Sequence, residues 1–170
     1  MEQRIKGTTG LMGLIGSPVG HSGSPDMYNF SFRYHHLDYA YLAFDIKEDQ
    51  VKAALDAMRL FHMRGCNVTM PCKNEAAKYM DELSPAARII GAVNTIVNEN
   101  GRLIGHITDG TGFVHNLKEN GVEVKNKKLV VLGAGGAATA IQVQCALDGA
   151  REISIFNPDD PFLALSLIHI

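Results

Sequence analysis

Gly133-Ala134-Gly135-Gly136-Ala137-Ala138 is the segment whose residue types speak most directly of chemistry, because it follows the apolar run Lys128–Leu132 and precedes a helical stretch to about Leu147. A Gly-x-Gly-x-x-Ala loop in that context reads as a dinucleotide-binding turn. Gly133 permits the tight turn, Gly135 lets the backbone approach a pyrophosphate, and Ala138 takes the small position where helix and strand pack. The pyrophosphate charge would meet the amides and dipole of the helix start. Without that context the same pattern is a plain glycine turn. After the next strand comes Asn157-Pro158-Asp159-Asp160, where the adenosine ribose is normally read, so Asn157 and Asp159 join the cofactor-binding candidates. NAD and NADP both stay open, but two carboxylates and no basic side chain would repel a 2′-phosphate, which favours NAD. A solvated acidic turn is the plain alternative.

A second group of polar residues lies in the first two thirds of the chain. Ser22 and Ser24 stand just before Pro25, where hydroxyls and helix-start amides suit an anion. The plain alternative for Ser24 is a helix cap. Asn67 and Thr69 alternate onto one face of a strand, and Lys73 follows Pro71 at the strand end, where a parallel sheet presents side chains at its mouth. Taken singly, Lys73 reads as a solvated lysine, Asn94 as an asparagine satisfied by backbone, and Asp109 as a helix cap.

These groups need a scaffold, and the chain alternates apolar runs with amphipathic stretches in a strand–helix rhythm, the mark of an α/β protein. Leu11 to Gly16 reads as a buried strand, Ser24-Pro25 as a helix start, and Tyr39 to Ile46 as the next strand. Val51, Ala54, Leu55 and Met58 recur at helical spacing within 49–60. A third strand ends near Met70, a helix covers 73–80, and 92–104 reads as two strands joined at Asn98-Glu99-Asn100-Gly101. Phe113 and Leu117 mark a linking helix over 109–120 that Gly121 stops. Then comes one strand–helix–strand unit that ends with the strand 152–156, expected to be left as an exposed apolar edge.

Composition bounds the rest. The net charge of -2 over 170 residues comes without a basic block, so nucleic acid is not an expected partner. No apolar run reaches the ~18 residues that span a bilayer, and the start Met1-Glu2-Gln3-Arg4 is not a secretory signal, so a cytoplasmic protein without a membrane partner is expected. Cys66, Cys72 and Cys145 lack the spacing of a zinc site and read as reduced thiols, with no metal. The closing residues 165–170 read as translated adapter sequence from library preparation, which would put the end of the natural sequence near Ala164.

Four motifs, in order, resemble the shikimate dehydrogenase family, including its quinate/shikimate branch. Gly16-Ser17-Pro18-Val19-Gly20-His21-Ser22-Gly23-Ser24-Pro25 is similar to the family's Ser-x-Ser-Pro loop, and Gly65-Cys66-Asn67-Val68-Thr69-Met70-Pro71-Cys72-Lys73 to its Asn, Thr and Lys signature. Gly91-Ala92-Val93-Asn94-Thr95 resembles the Asn-Thr strand, and Gly105-His106-Ile107-Thr108-Asp109-Gly110 the Asn-Thr-Asp-Gly motif. The resemblance implies that Ser22 and Ser24 bind the substrate carboxylate, that Asn67, Thr69, Lys73 and Asn94 face the ring, and that Asp109 pairs with Lys73 as the catalytic couple. Ile107 stands where the family has Asn, and Tyr28 where His commonly precedes Asn29.

The implied fold is an α/β substrate-binding domain over residues 1–108, followed over 109–164 by a linker helix and the first βαβ unit of an incomplete Rossmann domain. The implied reaction is the reversible NAD(P)-dependent reduction of 3-dehydroshikimate to shikimate, with quinate as a further substrate. A homodimer of the full-length protein stays open, and the segment alone is expected to be inactive. An isolated lysine titrates near 10.4, too high for an efficient base, so proton transfer falls to the pair rather than to Lys73 alone. Two rivals are a methylenetetrahydrofolate dehydrogenase-like enzyme, against which the Ser-x-Ser-Pro loop speaks, and a non-catalytic small-molecule binding module, against which Lys73 and Asp109 speak.

Overall fold

The computed structural model describes residues 5–156 and 166–168, and the chain divides into two compact units. The first holds residues up to Ala87 and Gly91–His106. Its strands are β1 (Gly10–Gly16), β2 (Tyr39–Asp45), β3 (Gly65–Val68), β4 (Glu82–Leu83), β5 (Thr95–Glu99) and β6 (Arg102–His106). They form one sheet in the order β2-β1-β3-β5-β6-β4. β1 runs parallel to β2 and β3, and β5 runs antiparallel to β3 and β6. Hence the ends of β1 and β3 and the start of β5 share one edge.

Period-two alternation sorts β1 onto two faces. Leu14 packs with Tyr41, Val19 and Phe32 under helix α1 (Ser24–Tyr34). Leu11 and Ile15 line, with Leu55 and Met58 of α2 (Val51–Leu60), an apolar cavity on the other face. The helical spacing read at 51, 55 and 58 is the buried face of α2, where Val51, Leu55 and Met58 are at most 1% exposed. Each such side chain stabilises the fold by about 1.5–3 kcal/mol.

Several expected boundaries shift. The helix over 49–60 begins with a 3-10 turn, Glu48–Gln50, closed by the Gln50 side chain accepting from the Lys47 amide at 2.9 Å. The helix over 73–80 contracts to α3 (Lys73–Ala77). Ser24 is the first residue of α1 rather than its cap; Gly23 holds the cap position and no side chain caps it. The sequence reading missed α4 (Pro85–Ile90), although its signals are legible: the Ser84 hydroxyl accepts from the Ala87 amide, Pro85 opens the helix and Gly91 closes it in the left-handed region.

The second unit comprises residues 88–90 and 107 onward. It contains α5 (Asp109–Glu119), β7 (Lys128–Leu132), α6 (Gly136–Leu147), β8 (Glu152–Phe156) and β9 (Ser166–Ile168). β7 and β8 are parallel, which makes β7-α6-β8 the expected βαβ unit. The other side of β8 is not a bare edge: β9 pairs with it antiparallel, Ser154 opposite Leu167. The backbone of 166–168 is thus part of the sheet, while the remainder of the expected adapter-derived tail lies outside the described residues.

α5 crosses α6 where Gly110 is buried, and a Cβ there would stand 2.2 Å from the Ala140 carbonyl oxygen and 2.6 Å from Gln144 Cβ. Gly110→Ala gains about 1 kcal/mol in helix propensity but must push two helices apart, at a cost near or above the 1–3 kcal/mol usual for overpacking. The expected net loss is about 2 kcal/mol, read from the urea midpoint of the full-length protein; a midpoint at or above wild type would remove Gly110 from this role.

Candidate functional site

Most of the polar residues singled out in the first unit lie at the shared edge of β1, β3 and β5. Ser22 and Ser24 lie in and just beyond the loop after β1, both half-buried, and the Ser22 hydroxyl accepts from the Ser24 amide at 3.2 Å. Asn67 is the third residue of β3. Thr69 follows that strand directly, its amide donating to the Ile15 carbonyl at 2.9 Å, and so stays tied to the end of β1. Lys73 opens α3, half-buried, and its carbonyl accepts from the Val93 amide at 3.0 Å. Asn94 immediately precedes β5; its carbonyl accepts from the Val68 amide at 2.8 Å and its amide donates to the His106 carbonyl at 2.9 Å. Four of the predicted substrate residues, Asn67, Thr69, Lys73 and Asn94, are therefore held by backbone hydrogen bonds at one sheet edge, and Ser22 and Ser24 lie on the connection that leaves β1 there.

Asn67 is fixed more closely than its sequence position suggested. Its Oδ1 accepts from the Tyr41 hydroxyl at 2.8 Å, and its Nδ2 donates to Thr95 Oγ1 at 3.2 Å and to the Asn94 carbonyl at 3.4 Å. Thr95 Oγ1 in turn donates to Asn94 Oδ1 at 3.0 Å. Sequence reading missed Tyr41 and gave Thr95 no role of its own within the Asn-Thr motif, because a tyrosine and a threonine inside strands look like ordinary sheet residues. Burial, with smaller effects from Tyr28 and Cys66 nearby, pushes the Tyr41 phenol well above its ordinary range, so it is a neutral hydroxyl at physiological pH. The three cysteines are buried free thiols, and burial pushes the Cys66 thiol up to about 12. Among the described residues no three His, Cys, Asp or Glu side chains gather to hold a metal, and no helix is long and apolar enough to cross a membrane.

Asp109 belongs to the second unit, as the first residue of α5, half-buried and preceded by Thr108 at the cap position, so Asp109 is not itself the cap. Ile107 is buried at 6% exposure, an apolar residue where a polar one was expected. In the glycine loop Gly133 has φ +113°, a conformation that favours glycine, and its amide donates to the Phe156 carbonyl at 2.7 Å. Gly135 sits at the cap position of α6 with extended backbone and no side-chain cap, so the first amides of α6 lack intrahelical partners. Ala134 and Ala137 are exposed and Ala138 is half-buried. A Cβ on Gly133, Gly135 or Gly136 would meet nothing within 4 Å. That open cradle at a helix start suits a pyrophosphate. Asn157 and Asp159, and with them Asp160, lie outside the described residues.

Residues 14–96 match the family described as the shikimate dehydrogenase substrate binding domain. A curated shikimate dehydrogenase (NADP(+)) from Listeria monocytogenes is 53% identical over 162 residues, which cover 95% of this chain and 56% of that protein. The chain thus spans about half the length of the curated relatives it matches. Among solved structures, shikimate 5-dehydrogenase from Listeria monocytogenes in complex with shikimate and NAD superposes with a TM-score of 0.91 at 52% identity, covering 96% of this chain and 57% of that one. The ligand-free 5-ketofructose reductase of a Gluconobacter species superposes at 0.86 with 35% identity, over 91% of this chain and 55% of that one. The expectation that Asp159 and Asp160 favour NAD finds no support in the curated relatives, whose names carry NADP(+). Physically, counting charges over a few loop residues does not register the backbone amides and more distant side chains that can also hold a 2′-phosphate.

Proposed function

We propose that the chain belongs to the shikimate dehydrogenase family, whose substrate binding domain residues 14–96 match, and that its full-length protein reversibly reduces 3-dehydroshikimate to shikimate with NADP, this chain supplying the substrate site and the first part of the dinucleotide site. The observation that carries the reading is the gathering of Asn67, Thr69, Lys73 and Asn94 at one sheet edge, with Ser22 and Ser24 on the connection that leaves it, all inside the segment that matches the substrate binding domain.

In this reading the Ser22 and Ser24 hydroxyls, beside the start of α1, receive the ring carboxylate. Asn67, Thr69 and Asn94 offer donors and acceptors to the ring hydroxyls. Lys73 and Asp109 are the side chains proposed to carry the proton of the carbinol oxygen. The nicotinamide supplies the hydride acceptor. Gly133, Gly135 and the first amides of α6 hold the pyrophosphate. Quinate, whose ring is saturated and carries one more hydroxyl, is the second substrate to test.

The test is NADPH absorbance on adding shikimate to the full-length protein. Turnover separates this reading from a binding module, and silence with shikimate and quinate would overturn it. For the cofactor, kcat/KM is expected to favour NADP over NAD by at least about tenfold, or ~1.4 kcal/mol in transition-state binding. A ratio at or below one would restore the charge argument from Asp159 and Asp160.

A further inference from the structure

We infer that Tyr41 is a positioning residue for the proposed substrate site: its hydroxyl sets the orientation of the Asn67 carboxamide, and through Thr95 that of Asn94, while Asn29 and Tyr28 hold Tyr41 in place. The inference rests on the functional reading above and adds residues that no sequence motif singled out for the site.

The geometry runs in one direction. The Tyr41 hydroxyl donates to Asn67, Asn67 Nδ2 donates to Thr95, and Thr95 Oγ1 donates to Asn94 Oδ1. Each link fixes which end of the next group is acceptor and which is donor. Asn67 commits both amide hydrogens, to Thr95 Oγ1 and the Asn94 carbonyl, and keeps a lone pair on Oδ1. Asn94 is engaged through Oδ1, so Thr95 fixes which end of its carboxamide accepts.

Tyr41 itself is anchored from three sides although β2 is the margin of the sheet. The Asn29 carboxamide takes both of its backbone polar groups, donating to the Tyr41 carbonyl at 2.8 Å and accepting from its amide at 2.9 Å. The Tyr28 ring stacks on the Tyr41 ring with centroids 4.4 Å apart and planes 10° from parallel. Tyr41 is 1% exposed, which excludes water as a substitute partner for Asn67 from that side. A tyrosine needed only for packing would not require its hydroxyl aimed at a residue of the candidate site.

The experiment is Tyr41→Phe in the full-length protein, which removes one oxygen and keeps the ring. The Michaelis constant for shikimate should rise about five- to twentyfold, with kcat within about threefold and the Michaelis constant for NADP unchanged. In an Asn67→Ala background the same change should add less than about twofold, because its route of action is already gone. Wild-type constants in Tyr41→Phe, an equal further loss in the Asn67→Ala background, or a parallel decline of all parameters with thermal stability would each overturn the inference. If Tyr41→Phe does not fold, Asn29→Ser, which loosens Tyr41 at its backbone, must reproduce the rise, and a wild-type constant there overturns it equally. The side-chain amide resonances of Asn67 keep the two readings apart. Their shift on Tyr41→Phe supports the relay even in a protein that does not turn over shikimate, a result that would fault the functional reading alone; unshifted resonances refute the relay.

Discussion

Lys73→Ala in the full-length protein is expected to lower kcat for shikimate oxidation by about 10²- to 10⁴-fold, the usual worth of a positioned proton-transfer group, while the Michaelis constant moves far less. The backbone around Lys73 is secured without its side chain: the Cys72 amide donates to the Thr69 carbonyl at 3.0 Å, the Val93 amide donates to the Lys73 carbonyl, and Cys72 is fully buried. The substitution therefore removes an ammonium group and leaves the end of β3 in place, so retained shikimate binding by calorimetry should accompany the lost turnover. A variant with wild-type kcat would take Lys73 out of the chemistry, and one that loses binding and turnover in equal proportion would make it a binding residue instead.

The parts of this fold that were legible in the sequence are those whose signals are local. The βαβ unit around Gly133 announces itself because strand, glycines and helix adjoin in the chain, and the hairpin of β5 and β6 because Asn100 and Gly101, both at positive φ, mark its turn. The site edge was partly legible: Asn67, Thr69 and Lys73 fall within seven residues, strand alternation groups the first two, and Lys73 follows closely beyond the strand end. What stayed hidden depends on residues distant in sequence meeting in space. Tyr41 reaches Asn67 across 26 positions, and Gly110 lies against Ala140 across a helix crossing that no periodicity predicts. The cap of α1 was misassigned by one residue, since Ser22 and Ser24 are spaced so that either could serve a helix start.

Gly135→Asp should separate stability from cofactor binding more sharply than any other change in the second unit. Gly135 already has the extended backbone of a cap residue, φ -73° and ψ 175°, and a Cβ there meets nothing within 4 Å. An aspartate is among the best residues for that position, so the fold should gain a few tenths of a kcal/mol relative to glycine. The Thr139 amide keeps its bond to the residue 135 carbonyl, and α6 starts as before. For the dinucleotide the consequence is the reverse. The carboxylate would occupy the space before the helix and accept from the amides proposed for the pyrophosphate, placing like charges in the same cradle. At about 4 Å and an effective dielectric of about 20 that repulsion is on the order of 4 kcal/mol, which solvent at this exposed loop reduces. A rise of at least about hundredfold in the NADP Michaelis constant, or ~2.7 kcal/mol, is therefore expected. Thermal stability should stay at or above wild type, and shikimate affinity should be unchanged, because the serine and asparagine side chains proposed for it lie in the other unit. NADP kinetics within threefold of wild type would show that the pyrophosphate does not rest on the start of α6.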